Sequence, residues 1–482
     1  MEQTQAGNPM KSLLRRPAHE LAEMVRSGEI SARELTEAAL RQIEADRDLN
    51  AFTLVDADAA LAAADAIKPG DPRPFAGVPT AIKELHAVAG QQFTMGSNIY
   101  GEYGTTYDSY VARRIRNAGF ISVGRTSAPE FGIVPVTSPK RFGHTRNPWD
   151  PNRTPGGSSG GAAAAVAGGS LPIAHATDGA GSIRIPAAAC GLVGLKPSRG
   201  RVSFGPDAGD NLLSVQNCVS HTVADSARFL DILAGYEPGD ATWAPSPEEP
   251  FAVSAARDPG KLRIAMNTTS PLATEVDPIC AQAVTDAGKL LESLGHHVEE
   301  VTPPDWVAPQ LIQPFLVVWG AGIASGVQFG AQVTKRRPTR ELVESVTWMF
   351  CEMGLARTSA DLVTAIAQLQ GYARRLVAFL SQWDVFLTPV LAQRPLPIGY
   401  LDTDGADPQA EFRKAVEYAP FTAHWNLTGQ PAISLPLYQG QDGLPLAIHL
   451  GGQPLGEGTL LSLATQLEQA QPWADRVPPM RG

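Results

Sequence analysis

The sequence predicts an α/β protein: a central mixed, mostly parallel twisted β-sheet with helices on both faces. Three observations lead there. KLRIAM (261–266), an apolar stripe through Ile279, Ala283, Val284, Ala287, Leu290, Leu291 and Leu294, and HHVEEV (296–301) read as strand, helix and strand. That order is a βαβ unit, which joins parallel strands. DVFLTPV (384–390) and QPAISLPL (430–437) are short apolar runs of the kind that form buried strands. Finally, 482 residues with 43% hydrophobic and 18% charged side chains suit a large folded core and exclude disorder as the main state.

Taken in chain order, residues 1–16 read as a flexible N-terminal tail, and 17–482 as a single domain with no clear linker or internal repeat. Residues 20–45 form two helices, the second opened by Ser31 and Glu34 in the S-x-x-E capping arrangement. Its apolar face follows at Leu35, Ala38, Ala39 and Ile43. An Ala-rich helix covers 57–67, and GVPTAIKEL (77–85) is a short buried strand ending near Lys83. The stretch 123–182 is rich in Gly, Ser, Thr, Asn and Pro but poor in charge, which marks loops or close backbone approach. Residues of about 303–380 are mostly helical, carry Trp306, Trp319, Trp348 and Phe350, and read as an insertion over the sheet and the active site. A last helix covers 458–470.

Composition excludes several functional classes. With 39 Lys+Arg against 49 Asp+Glu the net charge is −10, so no basic face for nucleic acid is expected. No run of about 18 residues is apolar throughout, and the first twenty residues lack an apolar signal core, so neither a membrane span nor a secretory leader is expected. Cys190, Cys218, Cys280 and Cys351 are scattered, without a CxxC or a Cys/His pairing, and there is no HExxH. Neither a metal site nor a disulfide framework follows. The expectation is a cytoplasmic enzyme, monomer or homodimer, with no metal or cofactor.

Residues 154–197, TPGGSSGGAAAAVAGGSLPIAHATDGAGSIRIPAAACGLVGLKP, carry the chemistry. Two serine-bearing Gly loops, around Ser158 and Ser182, lie 24 residues apart. A helix-forming AAAAVAGG and a short apolar LPIAHAT separate them, so both serines can reach one side of a sheet. A phosphate loop would need Gly-Lys-Ser/Thr, and no Lys follows the Gly run. Gly156 to Gly160 match the G-x-S-x-G nucleophile elbow of an α/β-hydrolase esterase, but the upstream RNPWDPNRTP is too Pro-rich for the buried strand that elbow needs. The third reading is a hydrolase using two serines and a lysine.

That reading acquires a family from the motifs. G-G-S-S-G-G at 156–161, Thr177-Asp178, Gly181-Ser182-Ile183-Arg184, Pro186-Ala187, Cys190-Gly191 and Gly194-Leu195-Lys196-Pro197 resemble the amidase signature pattern. The resemblance spans nearly the whole chain, through GVPTAIKEL, FGHTRNPWD (142–150), DVFLTP and NLTGQPAISLP (426–436). Within the family it looks most like bacterial amidases of bulky unnatural amides, the 6-aminohexanoate cyclic dimer (nylon oligomer) hydrolase type and related urethanases. The resemblance implies the amidase signature fold and a Ser-cisSer-Lys triad working through an acyl-enzyme. Ser182 would be the nucleophile, Ser158 the bridging serine and Lys83 the base. The backbone of Gly179, Ala180, Gly181 and Ser182 would form the oxyanion hole. The chain departs from the common pattern at Ala180, where glycine is usual; Ala tolerates positive φ poorly, so the hole requires a negative φ there. A glutamyl-tRNA amidotransferase A-type subunit is the alternative within the family. Its pattern usually has Gln after S-I-R, where this chain has Ile185.

Elementary chemistry agrees with the triad. A serine hydroxyl needs a base, and lysine serves only when neutral, which requires burial to lower its value from about 10.4 to roughly 7–8. Lys83, at the end of an apolar strand, meets that need, although a lone lysine at a strand end is more often a solvated one. Ser159 reads as a supporting hydrogen-bonder, although it could exchange roles with Ser158. Glu84 faces away from Lys83 on a strand. Asp178 and Arg184 pair to brace the loop; Cys190 and His175 read as core. His424 and Trp425 divide between pocket and core. Met95, Ile133, Val134, Pro135, Trp319, Trp348 and Trp425 are candidate pocket residues, while Lys140 and Arg141 reach solvent. Such a pocket favours neutral, bulky amide or carbamate substrates, since a charged group there would stay unpaired.

Overall fold

The computed structural model describes residues 13–209 and 212–479. Its strands are β1 (Phe52–Val55), β2 (Pro79–Lys83), β3 (Ile121–Thr126), β4 (Ile173–Asp178), β5 (Val193–Lys196), β6 (Val215–Ser220), β7 (Arg263–Met266), β8 (His297–Glu300), β9 (Val385–Pro389), β10 (Ala432–Gln439) and β11 (Pro445–Gly452). Eight form one sheet in the order β4-β6-β5-β10-β11-β9-β7-β8, and three form another in the order β1-β3-β2. The second sheet abuts the first where β2 runs beside β4: Thr80 Oγ1 donates to the Ile173 carbonyl at 3.0 Å.

The α/β class and the mixed sheet are as the sequence predicts; the mostly parallel character is not. Among the described residues five of the seven pairings in the large sheet are antiparallel. Parallel pairing is confined to β9-β7-β8, which contains the βαβ unit built around the helix Pro278–Ser293. The expectation extended that unit to the whole sheet. It missed β11, which a tight turn at 440–443 folds back on β10 as a hairpin, and a hairpin is necessarily antiparallel.

Helix starts follow local chemistry. Ser31 and Glu34 form the reciprocal capping box ahead of Ala32–Ala45. Six consecutive residues of β10 are buried, so helices cover both its faces; Arg184–Cys190 and Glu457–Ala470 both pack on the β10-β11 pair. Most of the expected tail, residues 1–12, lies outside the described residues. The remainder is not loose: Leu14 is fully buried, and Arg15 donates to the Ala167 carbonyl at 2.6 Å.

The region read as an insertion holds three helices, Ile312–Thr334, Ser345–Leu355 and Ser359–Leu380. The expectation of no membrane-length apolar segment needs correcting. Pro309–Thr334 is long and apolar enough by length and composition alone. Its apolar surface has two destinations in the fold: Ile323, Ala324 and Val327 pack into a core cluster, and Phe315, Leu316 and Trp319 line a cleft. That cleft lies where two satellite cores meet. One is built on Ile133, Val134, Ile185 and Phe350, the other on Trp306, Tyr372, Phe386 and Trp425.

Candidate active site

β2 is buried throughout and delivers Lys83 at its last position, with no exposed surface. Nζ of Lys83 lies 2.7 Å from Ser158 Oγ, 2.8 Å from Ser159 Oγ and 2.9 Å from Thr177 Oγ1. Burial holds the ammonium well below the ordinary lysine value, with Asp178 opposing. The two serines stand where the Gly-rich turn enters the helix Gly160–Gly168, after a cis Gly157–Ser158 peptide. A Cβ on Gly161 would come within 2.3 Å of the Ser127 nitrogen, so only glycine lets the helix start this close to the neighbouring chain.

The serines have different surroundings. Ser159 Oγ donates to the Thr177 carbonyl at 3.2 Å, accepts from the Thr177 N–H at 3.2 Å, and accepts from Lys83. Its hydroxyl is fully committed to β4. Ser158 has Lys83 as its contact. Ser182 lines the cleft, and its carbonyl accepts from the Ser159 N–H at 3.3 Å. No Ser158–Ser182 hydroxyl hydrogen bond is present among the described residues; such bonds are often long in free enzymes and tighten on substrate.

The loop after β4 is held by a buried carboxylate. Asp178 accepts from Arg184 Nε and Nη2 at 2.9 Å each, from Asn426 Nδ2 at 2.9 Å, from the Gly181 N–H at 2.7 Å and from the Ile183 N–H at 3.2 Å. Burial alone would raise its pKa, but Arg184, followed by Lys196 and Asn426, outweighs it and keeps the carboxyl below the usual range. Here one expectation needs correcting. The Gly181 N–H is engaged by Asp178, so it is not free to face an oxyanion. The positive φ falls on Gly181, at 133°, and not on Ala180, so the departure at 180 carries no backbone strain. A Cβ at Gly181 would meet Thr422 Oγ1 at 2.3 Å, and Thr422 also donates to the Ala180 carbonyl at 2.5 Å.

The cleft encloses roughly 910 Å³ including its mouth. Ile133, Val134, Pro135, Ala180, Ser182 and Trp319 line it, as the sequence suggests. Trp319 also reaches over the oxyanion loop, its ring tip 3.2 Å from where a Cβ on Gly179 would stand. Three candidates lie elsewhere. Trp425 is 1% exposed and lies flat on Gly451 in the core, because neighbours on the helix Ala423–Thr428 point apart and His424 takes the cleft side. Met95 sits beside the 129–132 turn, its carbonyl accepting from the Phe131 N–H at 2.8 Å. Trp348 packs with the insertion helices. The sequence reading also missed one wall. Phe412, Ala415, Val416 and Ala419 line it at the i, i+3, i+4, i+7 spacing of a helix face, a signal present in the sequence.

The remaining side chains behave as core. Glu84 accepts from Thr53 Oγ1 at 2.7 Å and the Thr94 N–H at 3.1 Å. His175 sits against Gln216 at 3.3 Å, and burial pushes the Cys190 thiol up. Lys140 reaches Asp404 at 2.7 Å near the surface. Arg141 is more buried than expected, donating to the Ser97 and Gly101 carbonyls at 3.1 and 2.8 Å.

The amidase family model matches residues 34–461. The chain belongs to the amidase signature family. This amidase is 35% identical to the 6-aminohexanoate-cyclic-dimer hydrolase of Paenarthrobacter ureafaciens over 473 residues, covering 95% of both chains. The solved structure of a 6-aminohexanoate cyclic dimer hydrolase superposes with a TM-score of 0.92 at 34% identity, covering 96% of this chain and 99% of that one. A bacterial aryl acylamidase of the amidase signature family superposes with a TM-score of 0.88 at 25% identity, covering 98% of this chain and 100% of the other. The protein is therefore an α/β amidase, a hydrolase of amide C–N bonds.

Proposed function

We propose that this amidase cleaves neutral, bulky amides, and carbamates of similar shape, through Ser182 as nucleophile with Ser158 and Lys83 as its proton relay. The observation that carries the relay is the 2.7 Å contact between Lys83 Nζ and Ser158 Oγ, made where burial favours a neutral amine. The commitment of Ser159 to Thr177 favours Ser158 over its neighbour for this role. Neutral Lys83 draws the proton from Ser158 as Ser158 draws the proton from Ser182. The Ser182 oxygen then bonds to the substrate carbonyl carbon, and the carbonyl oxygen takes the negative charge beside the Gly179, Ala180 and Ser182 N–H groups. The relay returns a proton to the leaving nitrogen, the C–N bond breaks and an acyl-enzyme remains. Water repeats the path and releases the acid.

The substrate class comes from the wall. Apart from Ser182, Trp319 and His424, every residue lining the cleft has an apolar side chain or none, and none is charged. A charged acyl group would be left unpaired, whereas apolar surface gains about 25 cal/mol per Å². The same wall disfavours an ammonia-delivering amidotransferase subunit, which must bind polar glutamine. The test is kcat/KM for glutamine, a hydrophobic p-nitroanilide, a linear nylon oligomer and an aryl carbamate. The anilide, oligomer and carbamate should each exceed glutamine by at least about ten-fold. A lead for glutamine or another short diamide would overturn the assignment.

A further inference from the structure

His424 is the one ring in the cleft wall whose nitrogens are unequally engaged. Its Nδ1 lies 2.7 Å from the Tyr372 hydroxyl, contributed by the helix Ser359–Leu380. The imidazole also packs against Trp306 in a tilted arrangement, with ring centroids 5.1 Å apart at 30°, which restrains its orientation. Burial pushes its pKa down to about 4 and pushes the Tyr372 phenol up, so both are neutral near pH 7. A neutral phenol holds one proton, and His424 Nδ1 is its hydrogen-bond partner. With Tyr372 donating, Nδ1 is the acceptor and the imidazole proton resides on Nε2. The indole N–H of Trp319, the other side-chain nitrogen on the wall, is buried without a partner. In that tautomer the Nε2–H of His424 is a donor that an otherwise apolar cleft can offer away from Ser182.

We propose that His424 is a specificity-determining residue, oriented by Tyr372, that hydrogen-bonds a second neutral acceptor on the substrate, remote from the carbonyl under attack. The preferred substrate is then a bulky neutral molecule with two well-separated acceptor groups: a long-chain diamide, a lactam oligomer, or a carbamate with a distal carbonyl or ether oxygen. A single orienting donor in a greasy wall sets which way round such a molecule lies. Tyr372 is a positioning residue, acting through the imidazole. This inference builds on the proposal that Ser182 is the nucleophile.

The experiment uses two p-nitroanilides of equal length, one with a distal amide carbonyl and one with methylenes in its place. The wild-type protein should favour the first in kcat/KM. His424→Phe should lower that ratio about ten-fold, the size of one neutral hydrogen bond, mainly through the KM of the distal-carbonyl substrate. Tyr372→Phe, which frees the tautomer without emptying the cleft, should lower the ratio in the same direction. It also serves if His424→Phe does not fold. The preference should be unchanged from about pH 6 to 9, because His424 stays neutral there. Equal losses on both substrates, or an unchanged ratio in both variants, overturn the role of His424. Ser182→Ala separates the two ideas: if it retains turnover, the nucleophile assignment fails, whatever the ratios show.

Discussion

At the scale of single residues, the lysine is the most exposed to test. Lys83→Ala removes the only amine within reach of Ser158 among the described residues, and should cost about 10²–10⁴-fold in kcat. Under the proposed relay the active form is the neutral amine. Activity should therefore be full above the lowered pKa of Lys83 and decline as pH falls through it; a rate flat from about pH 5 to 9 would contradict a lysine base. Arg184 makes a different prediction. It and Asp178 are both fully buried, so Arg184→Met strands a carboxylate in the core and should cost about 3–5 kcal/mol, read from denaturant melts. What was legible beforehand were the pairings tied to a motif: Lys83 beside Ser158, and the Asp178–Arg184 brace. Thr177 beside Lys83, the capture of the Gly181 N–H and the Tyr372–His424 contact were not legible. Each depends on a partner that is distant in the chain or on a backbone direction that residue type does not encode.

Among the elements, the wall of the cleft is joined to the inserted helices by a pair of buried acids. Glu130, just before the 131–135 wall, accepts from Ser97 Oγ at 2.5 Å and from the Glu344 N–H at 2.8 Å; Glu344 accepts from the Lys140 N–H at 2.7 Å. Burial, and for Glu130 then the neighbouring Glu344, pushes them up to about 8 and about 7, from 4.5. The folded protein thus binds protons more tightly here than the unfolded chain does. The stabilisation is complete below about pH 4.5 and is lost as pH rises through 7 to 8. Melting temperature should fall across that window, and Glu130→Gln should flatten the slope; an identical slope in the variant would show that other groups set it. Helices with a clear face, such as 20–45 and 278–293, were readable from periodicity. The antiparallel majority of the sheet was not, because a strand's apolar pattern records burial and not the direction of its neighbour. β5 and β6 are short and fully buried, with no alternation to mark them.

For the molecule as a whole, the amidase signature family and its α/β class were visible in the motifs, because so many glycines there have no room for a side chain. The cleft was only half visible. Its floor comes from the motif region, but its walls come from 308–319 and 412–427, segments whose local pattern says helix and whose meeting is decided by packing. The loop that carries Ser182 is held from the far end of the chain: Asn426 binds the Asp178 side chain and its carbonyl, and Thr422 binds the Ala180 carbonyl. A growing polypeptide that has passed residue 197 already contains Lys83, Ser158, Ser182 and the Asp178–Arg184 brace, yet the outer clasp on that loop, Thr422 and Asn426, lies some 230 residues further on. If the clasp is required, activity is expected only once that segment has been made. A chain cut between β9 and the helix Pro408–Tyr418 should give two silent fragments, and activity should return only when they are mixed and reassociate. An active N-terminal fragment would show that the clasp is dispensable.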